Sequence, residues 1–318
     1  MSVQQTTVSG RPVYESARLR FLGVDGFDVY NCSVPFTWHG ETYLFGRVEP
    51  RDQWADSYSL LFRRREQDTY ELVERSRQYQ LEDPYIFIHD GEMVLGGTHV
   101  VKSRGEIAEI VSYFYRGTDP FCLRYFTSGP SGMKDIRLVD LADGKIGLFT
   151  RPRSQEILKQ YGSESMIGFA EMESLDELDS DAVNGAELIH GIFENGQWGG
   201  CNQAYLLDDG TVGVIGHLSN TVHRTEGVDQ LSYRNMSFTF DPGTREASHL
   251  QVIAGRGDYP AGPAKMPNLE DCAFTTGITR RPDGKVNLYS GLGDCEEGRV
   301  VIDDPFAGRK VLSSLTLA

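Results

Sequence analysis

Apolar positions along this chain gather in short strand-like runs, not at the three-to-four-residue spacing of an amphipathic helix. Five runs stand out: VYNCSVPFTW from Val29, PYIFIH from Pro84, IRLVDL from Ile136, NQAYLL from Asn202 and FTTGITR from Phe274. Each leads into a glycine turn and a second short strand of alternating character. The second segments are HGETYLFGR from His39, HDGEMVLGGTH from His89, ADGKIGLFTRP from Ala142, DDGTVGVIGHL from Asp208 and PDGKVNLYSGLGD from Pro282. Their turn glycines are Gly40, Gly91, Gly144, Gly210 and Gly284, and four of the five follow an Asp. Asp-Gly marks a hairpin, because glycine accepts the positive φ that a tight turn demands. One segment departs from the strand pattern. EMESLDELDSDA at 171–182 has the charge and i,i+3 apolar spacing of a short surface helix or loop.

Repeated hairpins without strand–helix–strand units predict an all-β protein. Five repeats of roughly 50–75 residues suit a five-bladed β-propeller, in which each blade buries its faces against its neighbours and ring closure protects the ends. An irregular pair of β-sandwiches is the other arrangement open to the same strands. The expected organisation is a single domain over residues 1–318, with the first ~15 residues peripheral. Residues beyond a minimal blade are expected in rim loops, where substrate sites commonly sit.

A formal net charge of -15 argues against nucleic acid or an anionic membrane as partner. It still allows a local basic pocket that takes an anion. Cys32, Cys122, Cys201, Cys272 and Cys295 are scattered, with no CxxC spacing. They predict reduced thiols in a cytoplasmic protein, not a disulfide framework or zinc site. The opening MSVQQTTVSGRPVYESARL has no apolar run suited to a signal peptide, and no stretch reaches the roughly 18 apolar residues of a membrane span. Histidines are dispersed, and HExxH, EF-hand and dinucleotide-loop patterns are missing. No metal and no cofactor are expected.

Three groups of residues carry candidate chemistry. Glu82-Asp83-Pro84 precedes the strand YIFIH. Two adjacent acids cannot share one face of an extended strand. One could therefore enter a central funnel as a general acid while the other holds structure; a solvated turn is the other reading. Lys134-Asp135-Ile136-Arg137 and Arg151-Pro152-Arg153 stand at one end of a single predicted hairpin. Together they suit phosphate, with Lys as a point charge and Arg as a bidentate fork; dispersed surface charge is the alternative. Repeat symmetry supplies the third group. Equivalent strand ends carry Arg47, His99, Arg151, His217 and Asp294, which a propeller would turn toward one axis. Trp198-Gly199-Gly200 and Tyr85 offer faces for stacking a sugar, or equally for core packing.

Glu82-Asp83-Pro84, Lys134-Asp135 through Arg151-Pro152, Gly216-His217 and Gly293-Asp294 occur in that order around the repeats. The series resembles glycoside hydrolase family 130, the mannoside phosphorylases and related hydrolases. The RVEPRD segment at 47–52 and the WGG segment at 198–200 are more similar to a sister group, domain of unknown function 1861. That group includes glycosyltransferase family 108, with β-1,2-mannosyltransferase/phosphorylases. The resemblance spans about residues 17–305. It implies Asp83 as catalytic acid, and Lys134, Arg151 and His217 as phosphate ligands. It implies that Asp294 contacts mannose, and that Arg47 and Glu49 lie near the same subsite. Glu82, Tyr85, His99, Asp135 and Trp198 complete the expected substrate-binding set. Departures are Tyr85 where family 130 has Arg, Ile136 where it has Ala, and Thr150 where it has His.

The implied reaction is inverting β-mannosyl transfer between a β-1,2-mannooligosaccharide and inorganic phosphate, giving mannose-1-phosphate, or from a GDP-mannose donor. Phosphate supplies the nucleophile, so one catalytic carboxyl suffices. Inverting hydrolysis needs a second one to activate water. A β-mannoside hydrolase, a non-catalytic glycan-binding propeller and a scaffold propeller are the competing readings.

Overall fold

The computed structural model describes residues 10–53, 56–224 and 227–317. It is all-β, with four sheets; the nine-stranded one joins two antiparallel units through a short parallel pairing of Ser232 and Tyr233 with Asp271 and Cys272, so that five antiparallel units follow one another along the chain. The first contains Phe36–Trp38, Glu41–Pro50, Tyr58–Glu66 and Thr69–Leu72, and the second Glu82–His89, Glu92–Ser103, Glu106–Gly117 and Arg124–Ser131. Arg137–Asp140, Ile146–Thr150, Ile167–Met172 and Glu187–Ile189 form the third. The fourth is built on Gln197–Leu206, Val212–Val222 and Gln230–Asp241. Asp271–Arg280, Lys285–Leu292 and Glu296–Asp303 make the fifth, whose outer strand is Val13–Arg18 from the start of the chain. The segment expected to be peripheral thus supplies a paired strand from Val13 onward; residues 1–9 lie outside the described residues.

All five turn glycines have positive φ, from 77° to 88°, as the hairpin reading required. Three of the turns share one hydrogen-bond design. Asp143, Asp209 and Asp283 each accept, through Oδ1, the backbone N–H two residues on. Such Asp side chains close the turn by imitating a backbone acceptor.

Consecutive units pack on one another through adjacent residues that face opposite ways. Ile86 and Ile88 join the apolar cluster shared with Phe45 and Leu61 of the first unit. Tyr85 and Phe87 join Leu138 and Leu148 of the third. Val214 packs with Phe149 and Phe169 behind it, and Ile215 with Ile278 and Leu288 ahead. Burying both sheet faces explains why the strands read as nearly continuous apolar runs. Each fully buried large side chain contributes about 1.5–3 kcal/mol. First-strand contacts follow chain order: Glu41–Pro50 on Glu82–His89, that strand on Arg137–Asp140, then Gln197–Leu206, then Asp271–Arg280. Lys285–Leu292 and Glu296–Asp303 return the series to Phe27–Tyr30, ahead of the first unit.

The 171–182 segment holds the short helix or loop expected there, and one further α-helix lies elsewhere among the described residues. The 171–182 segment finishes a strand at Met172, makes a 3-10 turn at Leu175–Glu177 and begins a short helix, Ser180–Asn184. A second helix, Gln155–Tyr161, went unforeseen although its caps are legible. Ser154 Oγ accepts from the Ile157 N–H, and Gly162 closes the end at φ 66°. All five cysteines are unbonded thiols. Among the described residues, no helix is long and apolar enough to cross a membrane.

Candidate active site

A cavity of about 500 Å³ opens where the inner ends of the units meet. It is lined on one side by Asn31, Arg47, Glu82, Asp83 and Asp294, and on another by Lys134, Asp135, Arg151 and Arg153. Trp198, Tyr233, Phe274, Met266 and Leu269 form an aromatic and apolar wall. Most of the residues singled out in the sequence therefore converge.

The carboxylates are aimed by unusual backbone. Asn31, Asp83, Asp135 and Asp294 have φ of 45°, 50°, 56° and 56°. Asn and Asp tolerate this left-handed region better than other side chains, at a cost of about 1–3 kcal/mol each. At Asp83 the turn corrects an expectation. The strand is not extended there, and its register slips between Glu82 and Tyr85. Both neighbouring acids can then reach one cation. Arg47 Nη2 donates to Glu82 Oε1 at 3.1 Å, and Arg47 Nη1 to Asp83 Oδ1 at 3.0 Å.

Arg47 is the hub of this side. Its Nη2 also reaches Glu49 Oε1 at 3.2 Å, and its Nε donates to Ser57 Oγ at 2.9 Å. Glu49 further accepts from Tyr30 Oη at 2.6 Å and from Lys265 Nζ. Burial alone would push Glu49 up, but Arg47 and these hydrogen bonds hold it down at about 2. Asp294 behaves oppositely. Burial raises it to about 6 against the pull of Arg47, with Asp83 and Glu49 adding to the rise.

Glu82 links the two sides, because its Oε2 accepts from Lys134 Nζ at 2.9 Å. Asp135 then organises the cations. Its Oδ1 accepts from Arg137 Nη2 at 3.0 Å and its Oδ2 from Arg151 Nη1 at 2.7 Å. Burial disfavours its charge, yet Arg137 and Arg151 outweigh that and keep it well below the usual carboxylate range. Ser165 Oγ accepts from Arg151 Nε at 3.1 Å.

Besides Glu49, which is fully buried against Arg47, three expected residues stand apart from the cavity lining. His99 is half-buried, stacks on Tyr113 at 4.5 Å and places Nδ1 3.0 Å from Gln80 O. Tyr85 is buried in the core beneath the Arg137 guanidinium, 4.5 Å from its ring. His217 is fully buried, with Nδ1 2.7 Å from Asn202 Oδ1, and packs on the cavity-lining Phe274 at 4.8 Å. Burial, reinforced by Arg151, lowers its imidazole to about 3, so it is neutral and brings no charge to a phosphate. Trp198 does line the cavity.

Sequence reasoning missed Asn31, Tyr233 and Lys265, and it names Arg137 only within the cation cluster. The repeat could have revealed Asn31, because it precedes Gly40 by the same interval that separates Asp135 from Gly144. Lys265 comes from the irregular segment between Gln251–Ala254 and Asp271–Arg280, which carries no repeat signal. Among the described residues, no group of three His, Cys, Asp or Glu side chains is arranged to hold a metal ion.

Fold and site together define an all-β protein of antiparallel units with a strongly charged cavity at their inner ends. The chain belongs to the family described as "Protein of unknown function (DUF1861)", whose model matches residues 5–308. Among solved structures it is similar to MPT-4, a mannose phosphorylase from Leishmania mexicana in complex with phosphate ion. Identity is 43% and the TM-score 0.90, over 97% of this chain and 94% of that one. It is also similar to MPT-1, a GDP-Man-dependent mannosyltransferase from Leishmania mexicana, at 41% identity and TM-score 0.88, over 96% and 95% of the two chains. The β-1,2-mannobiose phosphorylase from Listeria innocua shares the fold at 14% identity and TM-score 0.61, over 88% of this chain and 91% of that one. No curated protein matches the chain.

Proposed function

We propose that this protein is an inverting β-mannosyl phosphorylase/transferase with a five-bladed β-propeller fold, acting on β-1,2-mannooligosaccharides. The carrying observation is the juxtaposition, in one cavity, of a cluster of cations and a carboxyl with an oxygen that no donor among the described residues claims. Asp83 is that carboxyl, and Lys134, Arg151 and Arg153 are the cations. The propeller reading is supported by the chain-order contacts that return from the fifth unit to the residues preceding the first.

In phosphorolysis, a phosphate oxygen held by Lys134 and the Arg151 fork attacks the anomeric carbon. The new C1–O bond forms as the glycosidic C1–O bond breaks. The departing electron pair stays on the leaving oxygen, which takes the proton of Asp83. The products are α-mannose-1-phosphate and an oligosaccharide one mannose shorter. Asp294, buried beside Arg47, is placed to accept hydrogen bonds from mannose hydroxyls. Trp198 and Tyr233 supply flat faces for the sugar. In reverse, Asp83 receives the acceptor hydroxyl's proton. A GDP-mannose donor would present its diphosphate to the same cations.

Incubation with β-1,2-mannobiose, with and without inorganic phosphate, tests this reading. Mannose-1-phosphate formed only with phosphate is expected. Free mannose released at equal rate without phosphate would assign hydrolysis instead. Elongation from GDP-mannose, with no reaction of mannose-1-phosphate, would make the protein a nucleotide-sugar transferase.

A further inference from the structure

Asp83 is held from one side only. Asn31 Nδ2 donates to its Oδ1 at 2.8 Å, and Arg47 Nη1 donates to the same Oδ1 at 3.0 Å. Among the described residues, no protein donor reaches Oδ2. Asn31 itself is 5% exposed, and its own Oδ1 is buried without a hydrogen-bond partner. An unpaired buried acceptor is unfavourable. It persists because turning the amide over would set its oxygen against the Asp83 carboxylate.

The surroundings lock this orientation. Gly291 lies against the amide so closely that a Cβ there would fall 1.8 Å from Asn31 Oδ1. The backbone of Asn31 is also left-handed, at φ 45°, a region that Asn tolerates and most residues do not. With its amide oxygen sealed from solvent and its amide nitrogen committed to Asp83, the side chain is placed to serve the acid, not the substrate.

We propose that Asn31 is the positioning residue of the general acid. Together with Arg47 it ties down Asp83 Oδ1, so that Oδ2 carries the transferable proton toward the leaving oxygen. This rests on the phosphorylase reading above.

Two variants separate the amide from the backbone. Asn31→Asp keeps shape and tolerance of the left-handed region but replaces the donor with an acceptor. Asn31→Gly removes the side chain at a φ that suits glycine. Both are assayed on β-1,2-mannobiose and on nitrophenyl β-mannoside, whose leaving group departs without protonation. The expected result is a loss of about 10²-fold in kcat on mannobiose, with KM for phosphate held within about twofold. On the nitrophenyl substrate the loss should shrink below about fivefold, because proton donation no longer limits. Equal losses on both substrates, or a loss confined to KM, overturns the proposal. A crystal structure of Asn31→Gly supplies a readout independent of turnover. The Asp83 carboxylate is expected to rotate or split into two conformers; an unmoved carboxylate refutes the positioning role. Inactivity of the unmodified protein on every mannoside would count against the reaction reading alone.

Discussion

Asp83 and Asp135 stand at matching places in consecutive units, each where a first strand leaves a left-handed residue for the extended backbone. Their surroundings differ in one decisive respect. Asp135 has both oxygens taken by arginines and a side chain only 2% exposed. Asp83 receives both of its donors on a single oxygen and is 12% exposed toward the cavity. A carboxylate bonded on both sides holds cations in place, whereas one bonded on a single side keeps an oxygen for proton transfer. On the proposed mechanism, one repeat position thus yields a positioning group in the third unit and the proton donor in the second. The difference comes from where the neighbouring arginines sit, not from the acids themselves.

The sharpest way to break this contrast is Asp83→Asn. The amide can still accept at Oδ1 from Arg47 and Asn31, and Arg47 keeps Glu49 and Glu82. Folding should therefore be nearly unaffected. On the proposed mechanism this substitution removes the transferable proton and should lower kcat for phosphorolysis by about 10²–10⁴-fold, measured as mannose-1-phosphate released. A rate near that of the unmodified protein would return the reactive role to another group.

Asp135→Asn probes the other half, and its main effect should be on stability. It leaves Arg137 and Arg151 buried with one compensating charge fewer, a loss of about 3–5 kcal/mol in denaturant unfolding. The same substitution should alter the acid limb of stability. The folded-state pKa of Asp135 is depressed, so its contribution is complete above the unfolded value of about 3.9 and is lost as pH falls below it. Unfolding free energy measured from about pH 5 downward should fall less steeply in the variant. A variant as stable as the parent, with the same acid limb, would show that the two arginines do not depend on Asp135.

Much of this arrangement was legible in the chain, because repeats impose equivalent positions. The five turn glycines, the inner strands and the cavity places of Arg47 and Arg151 follow from that periodicity, Asp294 stands a little further along its strand end, and Asp83 and Lys134 were legible as local charge clusters and through the family resemblance. What escaped obeys other physics. Glu82 and Asp83 both reach Arg47 because a positive φ suspends strand alternation, an event that no hydrophobic pattern records. Lys265 arrives on a segment outside the repeats and meets Glu49 across 216 residues of chain. For His217 the resemblance implies a phosphate ligand, and what the chain does not spell out is that packing on Tyr233 and Phe274 buries the imidazole and lowers it to about 3.

His99 offers the mildest test. Equivalent strand ends place Arg47, Arg151 and His217 at the same interval from their turn glycines, and counting that interval from Gly91 reaches Thr98, not His99. Thr98 is 2% exposed and pairs with Glu82, whereas His99 turns outward onto Tyr113. A shift of one residue reverses a strand side chain from one face to the other. His99→Ala should therefore leave kcat/KM unchanged within about twofold, while the lost stacking and hydrogen bond cost about 1 kcal/mol or less. A tenfold fall in kcat/KM at unchanged stability would mean that the rim of the second unit reaches the substrate. The contrast between Asp83 and Asp135 would then have to include the sheet's outer face.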